Sequence, residues 1–228
     1  MEKQNIVDIF LNGSTKDESK IIKSVNINIE SHKKGLLNIY KSIYPDFIID
    51  YENEKIIEIL FNYFIGNKEF CGKNNIDLNK GIFICGGVGT GKSLLMEGFK
   101  SYCGQILKIN GFQGFTAMEI VDNVNISGIT YLENFNTKWF QSKANPITCY
   151  IDDIASKNEK INNYGTVICV IEQLISIRYN IYIKYKKLTH FSTNIFPSNL
   201  KEYYDERIID RLKEMCNIVS LTGISRRK

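Results

Sequence analysis

Gly86, Gly87, Gly89 and Gly91 crowd the eight-residue stretch GGVGTGKS, which follows the apolar run GIFIC at 81–85. Glycine tolerates backbone angles that other residues avoid, so such a loop can turn successive N–H groups inward toward an anion. Gly86-x4-Gly91-Lys92-Ser93 fits the phosphate-binding loop pattern in full, with a strand entering and a helix leaving. Gly86, Gly87, Val88, Gly89, Thr90 and Gly91 would cradle phosphate oxygens, with Leu94 continuing into the helix. Lys92 would reach the β- and γ-phosphates, and Ser93 would give its hydroxyl to Mg2+. The competing reading is a plain flexible turn, which the strand–loop–helix context disfavours.

A second signal is TCYIDDIA at 148–155, an apolar strand ending in two carboxylates. In open α/β sheets that end of a strand is where ligands bind. Asp152 fits the holder of a Mg2+ shell, and Asp153 a general base that polarises water. Read alone, such a pair is as often a turn or cap. A third signal is HFSTN at 190–194, where Asn194 could hydrogen-bond a γ-phosphate or the attacking water, or serve as a helix cap. A fourth is the arginine set: Arg207 and Arg211 one helical turn apart, then Arg226 and Arg227. Arginine stabilises charge on a transferred phosphoryl group. Asp205, Glu206 and Asp210 beside the first pair offer salt bridging as the alternative.

Alternating strands and helices must position these groups. The patterns predict strands at 81–85, 146–154 and 187–194, and helices at 53–66, 93–103, 166–179 and 199–215. A short helix should end before Pro45, and residues 11–20 read as a polar linker. The expected class is α/β, a three-layer sandwich on a mainly parallel sheet, preceded by a small helical N-terminal segment. The chain of 228 residues, 43% apolar and 24% charged, suits one sizeable core plus an appendage.

Composition narrows the partners. A net charge of +4 is too small to demand nucleic acid. The six cysteines form no CxxC pair and the two histidines complete no zinc pattern, so buried reduced thiols in a cytoplasmic protein are expected. The first twenty residues lack a signal-like apolar run, and no stretch reaches the roughly 20 apolar residues that span a bilayer. No membrane partner is expected. Phe112 and Phe115, with nearby lysines, are a candidate stacking site for single-stranded DNA, against the commoner role of aromatics in a core.

Together, GGVGTGKS, CYIDDI, FSTN, YYDERIIDRL and GISRR resemble the AAA+ ATPases of the DnaC/IstB type, helicase loaders and transposition helpers. The resemblance covers roughly residues 75–227, and its last two motifs are the most specific. It implies a P-loop NTPase fold with ATP and Mg2+ as cofactors. It makes 86–93 a Walker A loop, Asp152 and Asp153 a Walker B pair, and Asn194 a sensor-1 residue. Arg211 falls where the family has an arginine finger acting on the neighbouring subunit, and Arg227 where it has a sensor-2 arginine. Arg207 belongs to the same block, and Arg178 matches a recurring arginine read as an interface residue.

The implied partners are a replicative helicase or a transposase, single-stranded DNA, and further copies of the chain. Residues 1–70 would be an adaptor or a lid, and 71–228 the ATPase domain. With little chain after Arg227, no separate helical lid is expected. Two departures stand out. Asp153 replaces the commoner Glu, and IASKNE replaces Gly-x-Glu after the carboxylates. A shorter base suggests slow turnover, suited to a switch or to a nucleotide-gated binding module.

Overall fold

The computed structural model describes residues 28–109, 111–136, 147–163 and 165–227. The linker expected at 11–20 lies outside them. The chain divides into two compact units. One holds the described residues up to Asn79 together with Gly91–Gly111; the other holds Lys80–Thr90 and the chain from Phe112 onward. The division falls inside the glycine loop.

The first unit is helical. Helix α1 (Ile29–Ile43) starts at Asn28, whose side chain accepts the Ser31 N–H at 3.1 Å, and stops ahead of Pro45 as expected. Helix α2 (Glu54–Phe64) matches the amphipathic stretch at 53–66. Helix α3 (Lys68–Lys73) was not anticipated; Asn67 caps it. Helix α4 (Lys92–Tyr102) leaves the glycine loop and runs into a π-helical turn, Cys103–Leu107. Aromatic rings fill this unit: Tyr40 stacks on Phe47 and Phe64 on Phe99, with centroids 4.3 and 4.9 Å apart. The Tyr40 hydroxyl donates to the Leu95 carbonyl at 2.9 Å. Gly98 is required here, because a Cβ would enter the Tyr40 ring.

The second unit carries a parallel sheet. Its strands are β1 (Gly81–Gly86), β2 (Gln113–Thr116), β3 (Cys149–Ile154), β6 (Thr189–Thr193) and β7 (Cys216–Leu221), in the order β2-β3-β6-β1-β7. β1 and β6 are buried at every position, and β1 reads as the continuous apolar or small run of a strand covered on both faces. Helix α5 (Ala117–Ser127) begins with a capping box between Thr116 and Glu119. The T-x-x-E signal for it stands in the sequence at 116–119. Helices α6 (Val170–Tyr185) and α7 (Glu206–Met215) complete the unit. Phe83, Ile151 and Phe191 of the sheet share one core with Ile120, Leu174 and Leu212 of these helices.

Two expected helices start later than predicted. Residues Thr166–Cys169 form strand β5, paired antiparallel with β4 (Lys160–Asn163), so the helix begins at Val170. Their β-branched side chains suit a hairpin, and Asn162 Oδ1 accepts the Gly165 N–H at 2.9 Å across its turn. Residues 199–215 are also interrupted: a 3-10 turn, Pro197–Glu202, precedes α7. The remaining class expectation holds. The chain is α/β with a parallel sheet and a helical N-terminal segment.

All six cysteines are free. Five are buried and Cys169 is half-buried. Among the described residues no helix is long and apolar enough to cross a membrane.

Candidate nucleotide site

Because the five strands are parallel, their C-terminal ends lie along one edge of the sheet. That edge carries the turn after β3, the segment after β6, the glycine loop after β1 and the chain end after β7. The adjacency of β3, β6 and β1 therefore brings Asp152, Asp153, Asn194 and Gly86 to one side of the second unit.

The carboxylate pair is held by a local break in the ladder. β3 shifts register against β6 between Ile151 and Ile154, and Asp153 (φ 59°) and Ala155 (φ 63°) adopt left-handed angles. Non-glycine residues pay for that conformation, and such turns persist where surrounding bonds enforce them. Here they do. The Asp153 N–H donates to Ser192 Oγ at 3.0 Å, and the Ala155 N–H donates to the Tyr204 hydroxyl at 2.6 Å.

Asp152 is fixed through one oxygen. Its Oδ1 accepts the Tyr150 hydroxyl at 2.5 Å and the Ser192 hydroxyl. Burial, then the neighbouring Asp152 charge, holds the Tyr150 phenol well above its ordinary range, so it stays a donor. Asn194 Nδ2 donates to Asp153 Oδ1. Ser192 and Tyr150 were not singled out from the sequence. Both lie within motifs that were, each two positions from a predicted site residue.

The glycine loop belongs to both units. In the second, Thr90 is buried and its hydroxyl donates to the Gly87 carbonyl at 2.9 Å, while Val88 is exposed. The Gly89 carbonyl accepts the Arg226 N–H at 2.9 Å. In the first unit, Gly91 (φ 102°) begins α4 and its carbonyl accepts the Leu95 N–H at 2.9 Å. Lys92 is buried, Leu94 half-buried and Ser93 exposed.

The arginines separate. Arg211 is half-buried on α7; Nη1 donates to Ser176 Oγ at 2.6 Å, and its guanidinium lies 5.1 Å from the Tyr179 ring centre. The Tyr179 hydroxyl donates to Glu214 at 2.7 Å. Arg207 and Arg227 are exposed. Arg178, read from the sequence as an interface residue, does not reach the surface. It is fully buried and donates to Thr189 Oγ1 and to the carbonyls of Phe135, Ile147 and Leu188, at 2.8 to 3.2 Å. The sequence could not show that its periodic position turns inward. Of the proposed stacking aromatics, Phe112 is buried 5.1 Å from the His190 ring, and half-buried Phe115 packs on Phe135. Both rings meet core partners in tilted or edge-on contacts.

No protein-family model and no curated protein matches the sequence. Solved structures do match. One is a DnaC helicase loader, 18% identical, with a TM-score of 0.54 over 82% of this chain and 99% of that one. Another is a candidate primosome component from Streptococcus pyogenes serotype M3, 13% identical, with a TM-score of 0.53 over 79% of this chain and 85% of that one. At such identities the likeness shows the fold alone: this chain shares the fold of these two solved structures.

Proposed function

We propose that this chain binds and hydrolyses ATP and acts in DNA replication as a helicase loader, with ATP at boundaries between its copies. The observation that carries this is the Asp152–Asp153–Asn194 cluster at the sheet edge shared with the glycine loop, on a fold whose solved relatives include a helicase loader.

In this reading Gly86–Leu94 and Arg227 hold the nucleotide, and Lys92 counters the β- and γ-phosphates. Ser93 and Asp152 supply hard oxygens to Mg2+. Asp152 fits that task, because both of its hydrogen bonds use Oδ1 and leave Oδ2 for a cation's shell. Mg2+ held with a nucleotide needs only one or two protein oxygens, and among the described residues no cluster of three ligating side chains exists. The ion would neutralise phosphate charge. Asp153 accepts the proton of the attacking water, oriented with Asn194, and Arg211 reaches the nucleotide of the neighbouring copy.

Residues 1–70 serve as the partner adaptor and 71–228 as the ATPase domain. Ile48, Ile49 and Tyr51, exposed at 63%, 46% and 89%, support a docking role for that segment. Slow turnover is favoured by one contact: Asp153 Oδ1 is already engaged by Asn194.

The test is reconstitution. The chain, ATP and Mg2+ are mixed with a purified hexameric replicative helicase and circular single-stranded DNA, and helicase on the DNA is measured by co-sedimentation. Nucleotide-dependent transfer is expected. Failure to bind the helicase, with stable ATP-dependent filaments on duplex DNA instead, would move the assignment to a transposition helper.

A further inference from the structure

Glu159 is a carboxylate with no assigned task in a place that does not favour one. It is 3% exposed, and among the described residues no cationic side chain pairs with it. Burying a charge without a counter-charge is costly, and an apolar residue would pack there more cheaply. Its bonds show what it is attached to. Oε1 accepts the Ser156 N–H at 3.0 Å, and Oε2 accepts the Tyr204 hydroxyl at 2.8 Å and the Cys169 thiol at 3.9 Å. Its own carbonyl accepts the Val170 N–H at 2.9 Å, where α6 begins.

Tyr204 is the other half of the link. Its hydroxyl donates to Glu159 and accepts the Ala155 N–H at 2.6 Å, two residues after Asp153. The next residue, Asp205, opens α7, and its N–H donates to Glu172 on α6 at 3.0 Å. One buried phenol thus touches the turn after the carboxylate pair and stands at the head of the helix that bears Arg207 and Arg211. A left-handed turn at two non-glycine residues needs such bonds to persist.

We infer that Tyr204 and Glu159 are positioning residues: they hold the turn that carries Asp153 in its left-handed course and fasten it to the start of the arginine-bearing helix. The consequence for catalysis rests on the ATPase reading above; the consequence for the backbone does not. Geometry at Asp153 and at α7 is then coupled through one shared contact, so displacement of either is felt at the other.

Tyr204→Phe removes the hydroxyl and keeps the ring. Hydrogen exchange of the peptide spanning 152–158 should accelerate about tenfold, while that of β1 stays as in the parent chain. Hydrolysis in single-turnover conditions should slow about tenfold or more, with ATP affinity within about twofold, because a misplaced base lowers kcat without loosening the phosphates. Glu159→Gln, which keeps the shape and one acceptor, should retain more of the rate than Glu159→Leu. If Tyr204→Phe fails to fold, Glu159→Gln reads the same exchange.

Unchanged exchange at 152–158 overturns the inference. So does accelerated exchange with hydrolysis at the parent rate. A parent chain that binds ATP and never hydrolyses it would instead defeat the ATPase reading, and exchange alone would then decide the positioning.

Discussion

Arg226 donates its backbone N–H to the carbonyl of Gly89 across 2.9 Å, tying the last described residues to the crest of the glycine loop. Gly89 has φ 79°, and a Cβ there would collide with Ser225 Oγ. The loop's shape therefore depends on chain far away in sequence.

Gly89→Ala should weaken ATP binding at least about tenfold, since both the left-handed angle and the strap oppose a side chain. Arg226→Pro, which deletes the N–H donor, should weaken it in the same direction, and Arg226→Ala, which keeps the donor, less. Fluorescent-nucleotide titration measures all three. Equal affinities for the proline and alanine variants would show that the strap does not shape the loop.

Arg211 is held within its own chain by Ser176 and the Tyr179 ring, a preorganised guanidinium with donors to spare. Arg211→Ala should hydrolyse ATP at least about a hundredfold more slowly while binding it within about twofold. Stability should fall by only about 1 kcal/mol, the worth of one half-exposed hydrogen bond. Parent-rate hydrolysis in a steady-state assay would end the finger assignment.

Arg178 gives the opposite signature. Four acceptors converge on a fully buried guanidinium. Arg178→Ala strands them and should cost about 3 kcal/mol or more, read as a lower urea midpoint. A variant with unaltered stability but impaired self-association would restore the interface role that the sequence position suggested.

Glu159 should make stability depend on pH. Burial raises its carboxyl from 4.5 to about 7. The titratable groups touching it, Tyr204 and Cys169, are themselves pushed up by burial and stay neutral across that range. The folded chain keeps the Glu159 proton where the unfolded chain releases it. This contribution is therefore fully present below about pH 4.5, is lost as pH rises toward 7, and is flat above, amounting to roughly 3 kcal/mol. Urea midpoints at pH 5 and pH 8 should differ more for the parent than for Glu159→Gln. Equal differences would place the Glu159 proton outside this window.

The candidate site residues were legible because their signals are local. Gly86–Ser93, the Asp152–Asp153 pair and Asn194 each declare themselves by residue type at the end of an apolar run, and strand–helix alternation sets the class. Period alone could not separate the β5 strand from the helix that follows it, because a short β-branched run fits either until a partner strand pairs with it. Nor could it show which way Arg178 faces. The bonds that fix Asp152 through Tyr150 and Ser192, Gly89 through Arg226, and Ala155 through Tyr204 span from two to well over one hundred residues. They depend on strand order and on a one-residue slip between β3 and β6. Sequence supplied the candidate groups. Only the folded chain decided which buried donors hold them, because those partners become neighbours when the sheet assembles.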